Sequence, residues 1–277
     1  MTTRALAVAA LTALTVPAMF AQAPSAQTPP PAATPAAQGQ AGPPQPALPP
    51  LSCSELAAAL RTAMANDVRS RDWAALTRYR ESNRTNPKAD VVFMGDSITD
   101  AWQRQAAGFF TGKNYADRGI SGQTTPQMLV RFRSDVIALK PRAVVILAGT
   151  NDIAGNTGPM TNEEIQGNLQ SMAELATASG IKVVLSSITP VSEYHVANAS
   201  ATPQTIQRPM ARIRAINDWM KSYAAANKHT YLDYFSAMTD DKGLLRAELS
   251  GDDLHPNAEG YKIMAPLAES AILRAVR

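Results

Sequence analysis

Val144-Val-Ile-Leu-Ala148 runs without a polar residue straight into Gly149-Thr-Asn151-Asp152, and this junction decides the fold. A strand with one face in water alternates apolar and polar residues, so a short run that is apolar throughout belongs to a strand covered on both faces. Strands of that kind sit in parallel sheets between layers of helices. Four more runs punctuate the chain: Val91 to Met94, Tyr115 with its neighbours, Val183 to Ser187, and Tyr231 to Tyr234. Amphipathic helical patterns fall between them, near 98–110, 125–139, 162–179 and 206–227, and a last one at 257–274 begins just after His255-Pro256. The alternation predicts an α/β domain of three layers, α/β/α, around a five-stranded parallel sheet. Upstream, Leu56, Leu60 and Met64 and then Trp73, Leu76 and Tyr79 fall at helical spacing. They predict two N-terminal helices within 51–86, packed beside the sheet.

The N-terminus reads Met1-Thr-Thr-Arg4, then an Ala/Leu/Val run to Val16, Pro17, and small residues including Ala21-Gln22-Ala23. That pattern predicts a secretory signal peptide over 1–23 and a protein that is exported, either periplasmic or secreted. Residues 24–50 are almost all Pro, Ala, Gln, Ser, Thr and Gly, too poor in apolar surface to offset chain entropy, and are expected to form a disordered tether. The remainder, 51–277, is the right length for one domain and leaves no room for a second. With 45% apolar and 18% charged residues the chain can bury a full core. A net charge of +3 without a run of like charges gives no footprint for nucleic acid. The signal's apolar run is too short to span a bilayer, and no later segment is long enough, so no stable membrane span is expected. Cys53 is the only cysteine, which excludes an intramolecular disulfide. It lies far beyond the signal's apolar run, not directly after it as a lipid-attachment site would, and reads as a helix-entry residue.

In open parallel sheets ligands bind beyond the carboxyl ends of the strands. Three loops there carry unusual residues directly after a strand: Gly95-Asp96-Ser97, Gly119-Ile-Ser-Gly122, and Gly149-Thr-Asn151-Asp152. A fourth block, Asp252-Asp-Leu-His255, precedes the final helix. Parallel-sheet geometry brings all of them to one edge, which assembles a nucleophile, its base and oxyanion donors. A serine hydroxyl needs a base to take its proton as it attacks, and histidine titrates in the right range. A carboxylate three residues earlier fixes the histidine tautomer and stabilises the imidazolium. Each block alone is an ordinary turn or cap; four in order, each beside the right element, are not.

Together the blocks resemble the GDSL or SGNH hydrolase family, with Val92-Phe-Met-Gly-Asp-Ser-Ile-Thr99 as its first block and the likeness extending over 88–272. The resemblance implies a flavodoxin-like SGNH hydrolase fold. It places the nucleophile on Ser97, the acid and base on Asp252 and His255, and the oxyanion hole on Ser97, Gly122 and Asn151. Two departures stand out: Asp117 where relatives usually have Asn, and Asp253 where many have Gly. Neither removes a catalytic group.

Other candidates are weaker. His195, in the polar 192–209 stretch, and His229, just before a strand, read as surface or structural residues. Three dispersed histidines and one cysteine form no metal-ligand cluster, so neither metal nor cofactor is expected. Ser179-Gly-Ile-Lys182 matches Ser-x-x-Lys by coincidence, and the absence of Gly-x-Ser-x-Gly argues against the α/β-hydrolase fold. The expected activity is a serine esterase working through an acyl-enzyme on short-chain acyl or acetyl esters, with a small-molecule or glycan ester as substrate. Lysophospholipids, thioesters and acyl transfer are alternatives with the same residues. A non-catalytic glycan-binding module is a rival that has no use for an activated serine.

Overall fold

The computed structural model describes residues 52–196 and 201–277; the expected signal peptide and tether lie outside the described residues. In chain order these form α1 (Cys53–Arg71), α2 (Arg80–Thr85), β1 (Val91–Gly95), α3 (Ser97–Gln105), β2 (Tyr115–Gly119), α4 (Thr125–Asp135), β3 (Ala143–Leu147), α5 (Thr150–Ile153), α6 (Asn162–Ala178), β4 (Lys182–Ser186), α7 (Gln204–Gln207), α8 (Met210–Ala226), β5 (Thr230–Leu232), α9 (Tyr234–Met238) and α10 (Ala258–Val276). The strands pair in parallel in the order β2-β1-β3-β4-β5. Gly95 lies opposite Gly119 on one side and Leu147 on the other, so the carboxyl ends of β2, β1 and β3 line up along one edge. From β1 the chain goes first to β2 on one flank and then crosses to β3 on the other. That reversal opens a crevice above β1 and β3.

Strand pleating sends alternate residues to opposite faces, and both faces are buried. Val92, Met94, Val144, Ile146, Val183 and Leu185 pack with Met128, Phe132, Leu169 and Ile216, which come from α4, α6 and α8. Val91, Phe93, Val145, Leu147 and Val184 pack with Trp102, Tyr234 and Tyr261, from α3, α9 and α10. This is the expected three-layer α/β/α arrangement, and it explains why the β3 sequence contains no polar residue. Each large side chain buried this way stabilises the fold by about 1.5–3 kcal/mol. No helix among the described residues is long and apolar enough to cross a membrane.

The N-terminal expectation needs correction. The first helix forms, opened by Ser52, whose Oγ accepts from Glu55 N while the Glu55 carboxylate accepts from Ser52 N. Its stripe faces out, however: Leu56 and Leu60 are each 60% exposed and Met64 is 62% exposed. The second predicted helix, around Trp73 to Tyr79, is a run of turns, and helix begins only at Arg80. Asp72 is the cause. Its carboxylate accepts from Leu76 N, Thr77 N and Thr77 Oγ1, giving the backbone a local alternative to helical bonding. Smaller shifts have similar causes. Pro209 keeps Arg208 out of helical conformation and splits the expected 206–227 helix into α7 and α8. The Asp233 carboxylate accepts from Ser236 N, so the run ending at Tyr234 turns from β5 into α9.

Gly119 ends β2 pressed against the start of α3. A Cβ there would lie 2.1 Å from Asp100 N and 2.6 Å from Thr99 C, both backbone atoms that cannot swing aside. Gly119→Ala is therefore expected to cost about 3 kcal/mol or more in urea unfolding. Gly108→Ala, where a Cβ meets nothing within 4 Å, should stay within about 0.5 kcal/mol of the parent. Similar unfolding midpoints for the two variants would show that β2 and α3 are not in forced contact.

Candidate active site

Ser97 is the first residue of α3, and the turn that presents it is made by its neighbour. Asp96 caps the helix, with Oδ1 accepting from Ile98 N at 2.9 Å, so the chain swings abruptly from strand into helix and leaves the serine at the turn. Burial pushes the Asp96 carboxyl up to about 6. The helix behind Ser97 is clamped. The Trp102 ring stacks on Phe109 with centroids 4.6 Å apart and meets Phe93 edge-on at 5.7 Å. Tyr261 of α10 donates its hydroxyl to Ile98 O at 2.6 Å, which fixes the last helix against the first turn of α3.

That fixation brings in the fourth block. His255 Nε2 lies 2.8 Å from Ser97 Oγ, and His255 Nδ1 lies 2.6 Å from Asp252 Oδ2. With the ring proton on Nδ1, the imidazole donates to Asp252 and accepts from the serine hydroxyl. The other Asp252 oxygen accepts from His255 N at 2.7 Å and Leu254 N at 3.1 Å, so the carboxylate also shapes the turn that carries the ring. Burial pushes the Asp252 carboxyl up, but the hydrogen bonds from the His255 ring and backbone outweigh it and hold it below its ordinary value. The His255 side chain is 37% exposed, which leaves water within reach of it.

Two further loops close the pocket. Gly122 has φ +80, a left-handed conformation that a side chain would strain, and its carbonyl accepts from Asn156 Nδ2 at 3.1 Å. Asn151 stands in α5 with Nδ2 donating to Gln123 O at 3.0 Å, which leaves its second amide hydrogen free to turn toward a ligand. Beside it the buried Asp152 carboxylate accepts from Thr125 N at 2.9 Å, pinning α5 to the start of α4. Ser97, Gly122, Asn151 and His255 line one cavity of about 480 Å³, with Asp252 behind the histidine. All five residues singled out in the sequence therefore come together. The lining also includes Arg208, whose Nε donates to Thr150 Oγ1 at 3.1 Å and whose Nη2 faces Asn151 Oδ1 at 3.5 Å. Sequence patterns missed Arg208 because it falls in an irregular stretch; the adjacent Pro209, a break before a long helix, was the available signal.

The remaining candidates lie elsewhere. His229 packs near the Tyr223 ring, and burial pulls its pKa down. His195 Nδ1 is 3.0 Å from Asp253 Oδ1, and its backbone N donates to Asp253 Oδ2 at 2.7 Å. Asp253 also accepts from Ser192 Oγ at 2.6 Å and Tyr194 N at 3.0 Å, and its φ is +67. Left-handed backbone costs a non-glycine residue roughly 1–2 kcal/mol. The carboxylate offsets this by holding the 192–195 segment behind the histidine turn.

Asp117 supports the other side. Its Oδ1 accepts from Gly119 N at 2.8 Å, at the strand end that leads into Gly122. Burial is the main reason its pKa rises from an ordinary 3.8 to about 7; the Gly119 amide opposes this and the charge of Asp100 adds to it. The folded protein thus binds this proton more tightly than the unfolded chain. The stabilisation is complete below pH 4 and is lost as pH rises through about 7. Asp117→Asn keeps the acceptor and removes the charge, so above pH 7 its Tm should exceed the parent's by roughly 3 °C, with the gap narrowing as pH falls to 5. Parallel Tm curves from pH 5 to 8 would show that Asp117 does not titrate on unfolding.

Residues 93–263 match the GDSL-like lipase/acylhydrolase family. A Bacteroides fragilis protein of known structure is 42% identical, with a TM-score of 0.68 over 74% of this chain and 99% of its own. A GDSL-like lipase from Bacteroides thetaiotaomicron is 40% identical, with a TM-score of 0.65 over 73% of this chain and 98% of its own. An acetylxylan esterase of Geobacillus stearothermophilus is 25% identical over 206 residues, 63% of this chain and 90% of that protein. An uncharacterized lipoprotein of Bacillus subtilis is 36% identical over 78 residues, where this chain spans 32% of its length. The chain belongs to the GDSL-like lipase/acylhydrolase family and is a hydrolase of ester bonds.

Proposed function

We propose that this protein is an exported serine esterase that removes short acyl groups, acetyl above all, from glycan esters by way of an acyl-enzyme. The unbroken chain of hydrogen bonds from Asp252 through His255 to Ser97, at the wall of an open cavity, carries this reading. Ser97 Oγ attacks the ester carbonyl carbon while its proton passes to His255 Nε2, and Asp252 stabilises the imidazolium. The negative oxygen that forms takes hydrogen bonds from the Ser97 and Gly122 backbone amides and from Asn151 Nδ2. The helix start at Ser97 adds favourable partial charge. Collapse of the intermediate expels the alcohol, which collects its proton from His255. Water then attacks the acyl-serine as His255 takes a proton from it, releasing the acid and restoring Ser97.

Among the described residues the apolar side chains in the wall of this cavity are those of Ala101 and Leu254, a lining that suits an acetyl group better than a fatty chain. The similarity to an acetylxylan esterase points the same way. Export is inferred from residues 1–23, and residues 24–50 then tether the domain.

Ser97→Ala should lower kcat on p-nitrophenyl acetate by several orders of magnitude while leaving the melting curve in place. Asn151→Ala should lower kcat about 10²–10³-fold and change KM much less, because its amide gains a partner only when the carbonyl becomes an oxyanion. Activity retained in the first variant rejects the nucleophile. A second variant that melts earlier yet turns over normally reduces Asn151 to a turn residue.

A further inference from the structure

The segment between α1 and α2 has little regular structure, yet it is held at several points. Gln127 Nε2 donates to Trp73 O at 2.6 Å and Gln123 Nε2 donates to Ala74 O at 2.8 Å. The Asp72 carboxylate binds Leu76 N at 2.7 Å and Thr77 N at 2.9 Å. On this pinned backbone Ala74 is 3% exposed while the adjacent Trp73 is 47% exposed. The indole makes no ring contact with the aromatic side chains among the described residues, so a large apolar side chain is left open on a backbone that is held in place.

It is left open at the rim of a second cavity of about 530 Å³, whose walls include Gln127, Asn156 and Thr157. Ser121 and Gly122 line both this cavity and the one that holds Ser97, so the two flank the same Gly122 loop. The chemistry of the walls narrows the occupant. Among the described residues the one ionisable group in them is Asp72, and its carboxylate is taken up by the turn it makes. No cation is there for a phosphate or carboxylate, and the apolar side chains are Trp73, Ala75 and Ile120, too few to sheath a fatty chain. Amides and hydroxyls beside one flat aromatic face match a pyranose, which has an apolar C–H face and a rim of hydroxyls. Asn156 spends Nδ2 on Gly122 O, which leaves its Oδ1 to accept from a sugar hydroxyl; Thr157 Oγ1 shares one bond with Thr124 Oγ1 and keeps acceptor capacity.

The geometry points to a subsite for a neutral sugar ring, with Trp73 as the stacking platform and Asn156 and Thr157 as polar contacts, from which a substrate reaches Ser97 across Gly122. This rests on the esterase reading of Ser97 and names the class of molecule that carries the ester. The turn at Asp72 and the two glutamines hold the platform before substrate arrives, so little ordering is needed on binding.

Chemically acetylated xylotetraose and p-nitrophenyl acetate, compared on the parent and on Trp73→Ala, test the subsite. KM for the glycan should rise about tenfold, at least fivefold more than KM for the aryl ester, and Trp73→Tyr should recover most of the loss. Independently of turnover, acetylated xylotetraose should quench the tryptophan emission of Ser97→Ala and fail to do so in Ser97→Ala/Trp73→Phe. Equal losses on the two esters, an unchanged glycan KM, or a parent that cleaves the aryl ester but not the glycan would overturn the subsite and leave the esterase standing. Full activity of Ser97→Ala on the aryl ester would instead remove the reading on which the subsite rests.

Discussion

Arg131 sits on α4 with 0% exposure and donates to three acceptors: Nε to Gln123 Oε1 at 2.5 Å, Nη2 to Gly95 O at 3.1 Å, and Nη1 to Asp135 Oδ2 at 3.1 Å. Taking a cation out of water costs several kcal/mol unless it is paired and fully bonded, so these acceptors are held where the guanidinium needs them. They are also the joints of the site. Gly95 O ends the strand before Ser97 and accepts from Ile120 N, and Gln123 follows Gly122 and receives Asn151 Nδ2 on its carbonyl. Through Gln123 Nε2 the same node reaches Ala74 and the turn that carries Trp73. One buried charge therefore sets the spacing of the segments that present Ser97, Gly122, Asn151 and the exposed indole.

Around that node the acidic residues are sorted by environment. Asp96 and Asp117 are buried where desolvation outweighs the amides and charges that oppose it, and their carboxyls rise to about 6 and about 7. Asp252 is half open to water and bonded by the ring and backbone of His255, and it stays ionised well below them. Of these three carboxylates, the one that contacts the imidazole is also the one that remains charged across the range in which histidine titrates, as partnering an imidazolium requires.

Much of this was legible in the sequence, because the relevant signals are local. A continuously apolar β3, helices between short runs, and unusual residues directly after strands give the layers, the edge and the five clustered residues. What escaped depends on distance or on one side chain overriding a pattern. Nothing local marks Arg131, and only the fold shows that Gly95 and Gln123 converge on it. Trp73, Leu76 and Tyr79 keep helical spacing, but Asp72 captures the amides that a helix would need. Leu56, Leu60 and Met64 do form a helix, yet periodicity says nothing about whether a stripe finds a partner. Asp253 was visible as a departure from relatives, and its reason lies in a loop some 60 positions away that its carboxylate holds.

The hydrogen bond between Ser97 and His255 joins residues 158 positions apart, and the second of them arrives on the turn before the last helix. Contacts of such high sequence separation form late, after the loop-closure entropy of a parallel sheet has been overcome. On the function proposed above, a chain emerging from synthesis thus carries Ser97 without its base until the final helix docks on α3 through Tyr261. Under that proposal reactivity arrives with completion of the fold, and Ser97 is unarmed in every form that lacks the docked helix.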